Sequence, residues 1–356
     1  MAEETSEERE FGTMLTTSGN KYMTKVVDNI SKANILLHVL SQKGYKKTRD
    51  GGERIEIPVR MRRSHSGKWY RDSDLLDTNP ANPLTKSWWE WNQIAYSIVM
   101  SGLEEFKNSG LGRLIPLIQT LFDDAEDSMT EDLNEAMYGS PTYLGKQIDG
   151  LMNIVPENPA SATLGRYGDG KIGAIDQVTN TWWRNKVQGN DGTALVWVPN
   201  TATNVSPTAW DAMEKLYENC SKGGGARNKR EPNIGIANQR FYQKYMLGMV
   251  GQKRYKAKDL ADAGFKNVMF NDIPISWDEA CVTASAPSNN VAACYFLNKH
   301  FMHWVVGKGK DFKKTPFIRP ANQDARIAQI MLIANLVTSA RRKLGVVVDA
   351  DITART

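Results

Sequence analysis

The residues that could do chemistry in this chain are few, and most fail on context. Gly168-x-Gly170-x-x-Gly173 matches the dinucleotide-binding fingerprint letter for letter. That motif works only after a buried strand and at the head of a helix, where backbone N–H groups meet a pyrophosphate. The preceding SATLGRY does not read as a buried strand, and IDQVTNTWW does not open a helix. GSPTYLGKQ, residues 139–147, approaches a phosphate loop. It has one residue too many between its glycines, and Gln147 stands where a magnesium-binding hydroxyl is needed. His300 and His303 would share a helical face at a zinc-ligand spacing, but no third ligand is evident, since Cys294 sits among Val291, Ala292 and Phe296. These histidines are expected to be packed or hydrogen-bonded. Asp123, Asp127 and Glu131 recur at i, i+4 on one helix. Acid–base catalysis needs carboxylates that converge on a pocket, whereas these splay along a rod. No GxSxG or HExxH occurs. The expectation is a structural role, with no enzymatic activity, no cofactor and no bound metal.

The elements that carry these residues follow from composition and periodicity. With 356 residues, 41% hydrophobic and 24% charged, the chain reads as a soluble globular protein of about two domains. The opening MAEETSEERE is acidic and has no apolar run, so no signal peptide is expected. No apolar stretch approaches the roughly 18 residues of a membrane span. Cys220, Cys281 and Cys294 form no CxxC pair, and three buried thiols in a reducing cytoplasm are expected. Charge is distributed unevenly. Lys43–Arg71 holds ten Lys/Arg and three acids, 10 − 3 = +7, against +5 for the whole chain; Leu111–Met137 holds one base and seven acids, 1 − 7 = −6. Either run alone reads as a solvated face, but opposite runs on neighbouring elements point to an interaction.

Residues 1–17 are polar and acidic. Residues 18–43 read as an arm with a short helix near Asp28–Leu40. RIEIPVRMR then alternates strictly, with Ile55, Ile57, Val59 and Met61 on one face and Arg54, Glu56, Arg60 and Arg62 on the other, followed by Arg63. Pro58 cannot donate to a ladder, which places this strand at an edge. In SWWEWNQIAYSIVMSG, residues 87–102, Trp89 and Trp91 fall on one face, while Ile94, Tyr96, Ile98 and Met100 fall on the other. Residues 53–100 therefore predict a long two-stranded hairpin projecting roughly 40–50 Å. A lone hairpin is marginally stable at best, and nothing nearby in sequence offers cover for the Ile55/Ile57/Val59/Met61 row. The expectation is that this row and Trp89 and Trp91 lie on another subunit, while Ile94–Met100 belong to the chain's own core.

Leu111–Met137 keeps the 3.6-residue period and is the strongest helix in the sequence. Pro116 shifts its expected start to about Leu114, and Gly139 ends it. TAWDAMEKLYENCSK predicts a helix, GGGARNKREP (residues 223–232) a flexible basic loop, and PNIGIANQRFYQKYMLGMV a strand followed by a helix. IAQIMLIANLV is apolar all round and could be either a buried strand or a buried helix.

The order of these pieces resembles the major capsid proteins of tailed bacteriophages, which have the Hong Kong 97-type fold. The stretches that carry the likeness are TTSGNKYMTKVVDNISKANILLHVL, DGGERIEIPV, SGLEEFKNSG, KQIDGLMNIV, TWWRN, VMFNDIPISWDEA and RPANQDARIAQIMLIANLVTSARRKLGVV. They cover nearly the whole chain in the right order. The resemblance implies an α+β fold with an N-terminal arm (1–47), an extended E-loop (48–93), a peripheral domain (94–144 and 321–356) with a spine helix over 111–138, and an axial domain (145–320). It makes Ala325–Val337 a long strand. It also implies self-assembly into hexamers and pentamers that close an icosahedral head shell around double-stranded DNA in the virion, assembled in the host cytoplasm. The DNA would be contacted non-specifically, with no cofactor and no membrane. The implied partners are a separate scaffold protein, since no scaffolding extension is present, together with a portal and decoration proteins. Covalent crosslinking occurs in some members, but only Lys68 is a candidate here. On this reading Arg60, Arg62 and Arg63 of the arm meet Asp123, Asp127 and Glu131 of a neighbour's spine helix, with the acidic Glu3–Glu10 as a rival partner. The alternatives are an encapsulin-like nanocompartment shell and a dinucleotide-dependent enzyme built on Gly168–Gly173.

Overall fold

The computed structural model describes residues 34–42, 44–61, 69–72, 74–75, 83–107, 111–141, 146–189, 195, 208–223, 230–248, 267–282 and 292–349, with only the backbone of 105, 107, 111–119 and 126. Strands are numbered in chain order. Two sheets organise the chain. In the first, β1 (Lys46–Arg49), β12 (Met302–Gly307), β14 (Ala325–Thr338) and β13 (Lys313–Lys314) lie together, and β4 (Asn92–Ser101) pairs along the other edge of β14. The β4–β14 ladder is antiparallel over ten residues, from Ala325↔Ser101 to Ala334↔Asn92. The apolar run IAQIMLIANLV is thus a strand. It is flanked on both edges and is largely buried from Leu332 to Thr338, which explains its lack of a polar face.

The second sheet has the order β7 (Lys186–Gln188), β15 (Gly345–Asp349), β11 (Ala292–Leu297), β8 (Ile234–Ala237), β10 (Ile273–Trp277), β9 (Asn267–Phe270). The helices Ala209–Ser221 and Gln239–Gly248 form as their sequences predict, and together with this sheet they enclose a separate hydrophobic cluster around Met213, Leu216, Phe241 and Phe296. A capping box between Thr208 and Asp211 starts the first of them. Met302–Lys314 pair with the first sheet rather than the second, and Gly345–Asp349 return to the second.

The long helix spans Leu111–Tyr138, 28 residues. It begins three residues before the expected start, because a proline near the amino end removes only one hydrogen bond of the ladder. Phe122, Ala125, Met129, Leu133 and Met137 are buried along one stripe, at the 3–4-residue spacing that packs a helix on a sheet. Residues 34–49 are not part of a free arm. Asn34 caps the helix Ile35–Ser41 by accepting from the Leu37 amide at 2.8 Å, and Ile35, Leu36, Leu37, Val39 and Leu40 are buried in the core. The arm expected before Asn34 lies outside the described residues.

Candidate assembly surfaces

The hairpin consists of β2 (Ile55–Arg60) and β3 (Leu84–Trp89), in register from Ile55↔Trp89 to Arg60↔Leu84. Its six-residue ladder is about 20 Å long; the 40–50 Å expectation rests on residues outside the described set. Burial alternates along β2 as the sequence predicts, and Pro58 sits on the exposed side of a two-stranded ribbon. The expected lack of cover is wrong. Ile55, Ile57, Val59 and Trp89 are buried inside their own chain, Ile55 at 1% and Trp89 at 3% exposure. The covering group comes from far along the sequence. The Trp88 amide donates to the Gly173 carbonyl at 3.1 Å, and a Cβ on Gly173 would lie 2.9 Å from Trp89 Cζ2. These four residues are therefore core rather than intersubunit contacts.

The change of apolar face in the tryptophan stretch has the same explanation. It is two strands in two sheets, broken at Glu90–Trp91, and each strand keeps one core-facing side. Trp91 is half-buried, with its indole N–H donating to the Gly52 carbonyl at 3.0 Å. Gly168, Gly170 and Gly173 all have positive φ. They shape turns around the two-residue strands Lys171–Ile172 and Ile175–Asp176, so the fingerprint is not a strand-to-helix phosphate site.

What remains outward is the polar face. Arg54 lies 4.0 Å over the Trp88 ring, Lys86 pairs with Glu56 at 2.9 Å in the open, and Arg60 is exposed with Met61 half-buried beside it. Arg62, Arg63 and Lys68 lie outside the described residues. Toward the tip, Trp69 is fully exposed, with Tyr70 at 64% and Leu75 at 89%. Sequence reasoning misses these three, although KWYR in a polar turn is the signal that marks Trp69 and Tyr70.

On the long helix Asp123, Asp127 and Glu131 are all exposed, as the periodicity predicts. Asp132 is held by the Tyr96 hydroxyl of β4, and burial, aided by the hydrogen bond to this carboxylate and its charge, raises the tyrosine pKa. The helix end is fixed to the second sheet through Asp278, which accepts from Asn134 at 3.0 Å and Tyr138 at 2.9 Å. The hairpin's bases and the helix's acids sit on separate elements; within the hairpin Arg54 pairs with the adjacent Glu53, and Lys86 reaches across from β3 to Glu56 on β2.

A buried polar junction orients the root of the hairpin against the first sheet. Arg166 donates to Asn92 at 2.8 Å, to the Gln147 carbonyl at 2.9 Å and to Asp149 at 3.0 Å. Asn335 donates to Asp149 at 2.7 Å and to the Glu90 carbonyl at 2.8 Å, and Asn153 donates to the other Asp149 oxygen at 2.8 Å. Burial pushes the Asp149 carboxyl up, and Arg166 and the two amides oppose that. Apart from Asn153, four residues from Asp149, the partners in this network lie 17 to 245 residues apart, so no sequence spacing marks it.

His303 is buried on β12 rather than on a helix, and burial holds its imidazole down at about 4. His300 packs edge-on against Tyr45, so the two share no metal-binding face, and the described residues contain no cluster of metal-ligating side chains. The three cysteines are free and buried, as expected. Among the described residues no helix is long and apolar enough to cross a membrane.

No family profile and no curated protein matches the sequence. Solved structures do match. A chain of the cyanophage A-1(L) capsid asymmetric unit superposes with a TM-score of 0.62 at 16% identity, over 90% of this chain and 92% of that one. A chain of Mycobacterium phage Bobi gives 0.49 at 12% identity, covering 87% and 89%. The SrpI encapsulin of Synechococcus elongatus gives 0.47 at 10%, covering 76% and 78%. The chain thus has the fold of the A-1(L) capsid subunit, which bears out the Hong Kong 97-type α+β fold expected from the sequence.

Proposed function

We propose that the protein is a major capsid protein, self-assembling into hexamers and pentamers that close an icosahedral head shell around the double-stranded DNA of a tailed phage. The observation that carries this reading is the shared fold with the cyanophage A-1(L) capsid chain over nine-tenths of both. The exposed hairpin side chains add to it, since a shell subunit needs contacts for copies of itself. In this reading the contact set is Arg60, Met61, Arg62, Arg63 and Trp91 with the tip aromatics Trp69 and Tyr70. The facing acids are Asp123, Asp127 and Glu131 of a neighbour. A separate scaffold protein, a portal and decoration proteins complete the assembly, and the finished location is the virion. Negative-stain microscopy of the purified protein tests the function: shells or capsomers are expected, and small monodisperse particles under all assembly conditions would refute it. A charge swap tests the contact. Arg62→Glu with Arg63→Glu is expected to block assembly, and added Asp123→Lys with Asp127→Lys to restore part of it. Each exposed pair contributes only about 0.2–1 kcal/mol and is screened by salt, but a closed shell repeats it many times.

A further inference from the structure

Between the hairpin and the Arg341–Lys343 turn lies a cavity of about 630 Å³ whose lining includes Arg60, Arg341, Arg342 and Lys343 beside Trp182 and Trp183, with no carboxylate among the described lining residues. Arg341, Lys343 and the nearby Arg230 are held by neutral groups. Arg341 is fully buried and donates to the Ile154 carbonyl at 2.8 Å, to Asn185 Oδ1 at 3.1 Å and to Gln177 Oε1 at 3.2 Å. Lys343 donates to the carbonyls of Lys222 at 2.8 Å and Ser221 at 3.3 Å. Arg230 reaches the Gly223 carbonyl at 3.2 Å, and its buried Nε has no hydrogen-bond partner. Burial first, then the neighbouring Arg342 and Arg230, push Lys343 down to about 8. Like charges gathered in a recess repel one another, and a bound anion relieves that repulsion.

The recess selects the form of the anion. Duplex DNA presents its phosphates along the outside of a wide rod, which a cavity of this size does not admit. Carboxylates on an extended chain do enter. The acids of the long helix are carried on a rigid 28-residue rod and are excluded for the same reason. The other acidic stretch of the sequence is MAEETSEERE, with one arginine and five glutamates, 1 − 5 = −4, against four lining cations. The 23 residues between Glu10 and Asn34 reach at most about 80 Å, enough to serve its own chain or a second copy. We propose that this cavity is the acceptor site for the glutamates of the first ten residues, Glu3, Glu4, Glu7, Glu8 and Glu10. The proposal goes beyond the shell reading, and of its four cations only Arg60 is shared with the contact set named there.

The test uses the full chain with these five glutamates changed to Gln, so that its own segment does not compete, and a fluorescein-labelled peptide of residues 1–17 as the probe. Anisotropy is expected to show binding that weakens at least about tenfold with Arg342→Glu, and again as the Debye length falls from about 10 to 3 Å. The same peptide with Gln for Glu is expected not to bind. Arg342 is only half-buried; should its variant fail to fold by urea unfolding, Arg60→Glu on the exposed strand face carries the same test. Equal binding by the Gln peptide, or unchanged binding by folded variants, would overturn the proposal. So would a short DNA duplex that binds with Arg342 dependence where the peptide does not, which would assign the cavity to phosphates.

Discussion

Gly173→Ala tests the contact that replaces the expected neighbouring subunit as the cover of the hairpin. Two costs add at this position. Its φ is +60°, where a side chain costs about 1–2 kcal/mol. The new methyl would also sit 2.9 and 3.0 Å from two ring carbons of Trp89 and 3.3 Å from Ser87 Cβ, inside the ordinary contact distance of about 3.5–4.0 Å. Overpacking of this kind costs about 1–3 kcal/mol. The expected loss is therefore about 2–5 kcal/mol, read by urea unfolding of the unassembled subunit. Gly168→Ala is the control. It has a similar φ of +67°, but its nearest neighbour is the Thr163 carbonyl oxygen at 3.7 Å, so it should lose only the backbone share, about 1–2 kcal/mol. The difference belongs to Trp89. In a double mutant, Trp89→Leu should make room for the methyl, and the combined loss should fall short of the sum by about 1–3 kcal/mol. Equal losses at the two glycines, or strict additivity with Trp89→Leu, would show that the loop does not hold the hairpin.

Trp89→Ala is expected to cost the isolated subunit about 3–5 kcal/mol, alongside Ile98→Ala at about 2–5, while Trp91→Ala costs less; unfolding curves of the three variants rank them. Arg166→Ala leaves the buried Asp149 without its cation and should cost about 3–5 kcal/mol, whereas Lys86→Ala at an exposed pair should cost no more than about 1. Stability should depend on pH through His303, whose folded value of about 4 lies below the ordinary 6.5. The unfolded chain takes the proton first, so this contribution is full above pH 6.5 and is lost toward 4 at up to about 1.4 kcal/mol per unit. His303→Gln should flatten the slope of unfolding free energy between pH 4.5 and 6.5, and an unchanged slope would refute the assignment.

Periodicity makes some of this architecture legible in the sequence. The 3.6-residue stripe from Phe122 to Met137 and the alternation from Ile55 to Arg60 are local patterns, and each element obeys its own. The long strand Ala325–Thr338 is ambiguous for a physical reason, since an element buried on both faces has no polar side to show its period. Only the resemblance decides it. The tryptophan stretch misleads because a face switch looks the same whether the chain passes to another subunit or to another sheet of its own.

Cover is the property that local pattern cannot supply. A glycine 84 positions beyond Trp89 closes over its ring, an asparagine at 335 holds the carboxylate of Asp149, and a buried arginine at 341 reaches back to Ile154. Each of these contacts is set by topology, in which β4 and β14 bring the hairpin root and the end of the chain together. On the proposed shell reading, the assembly surface is accordingly smaller than the sequence implied. Subtracting the residues that the chain covers for itself leaves the charged face around Arg60 and the exposed tip of Trp69 and Tyr70. A contact built from such groups is weak per pair and salt-sensitive, so under the proposed function only many repeated copies would make it hold.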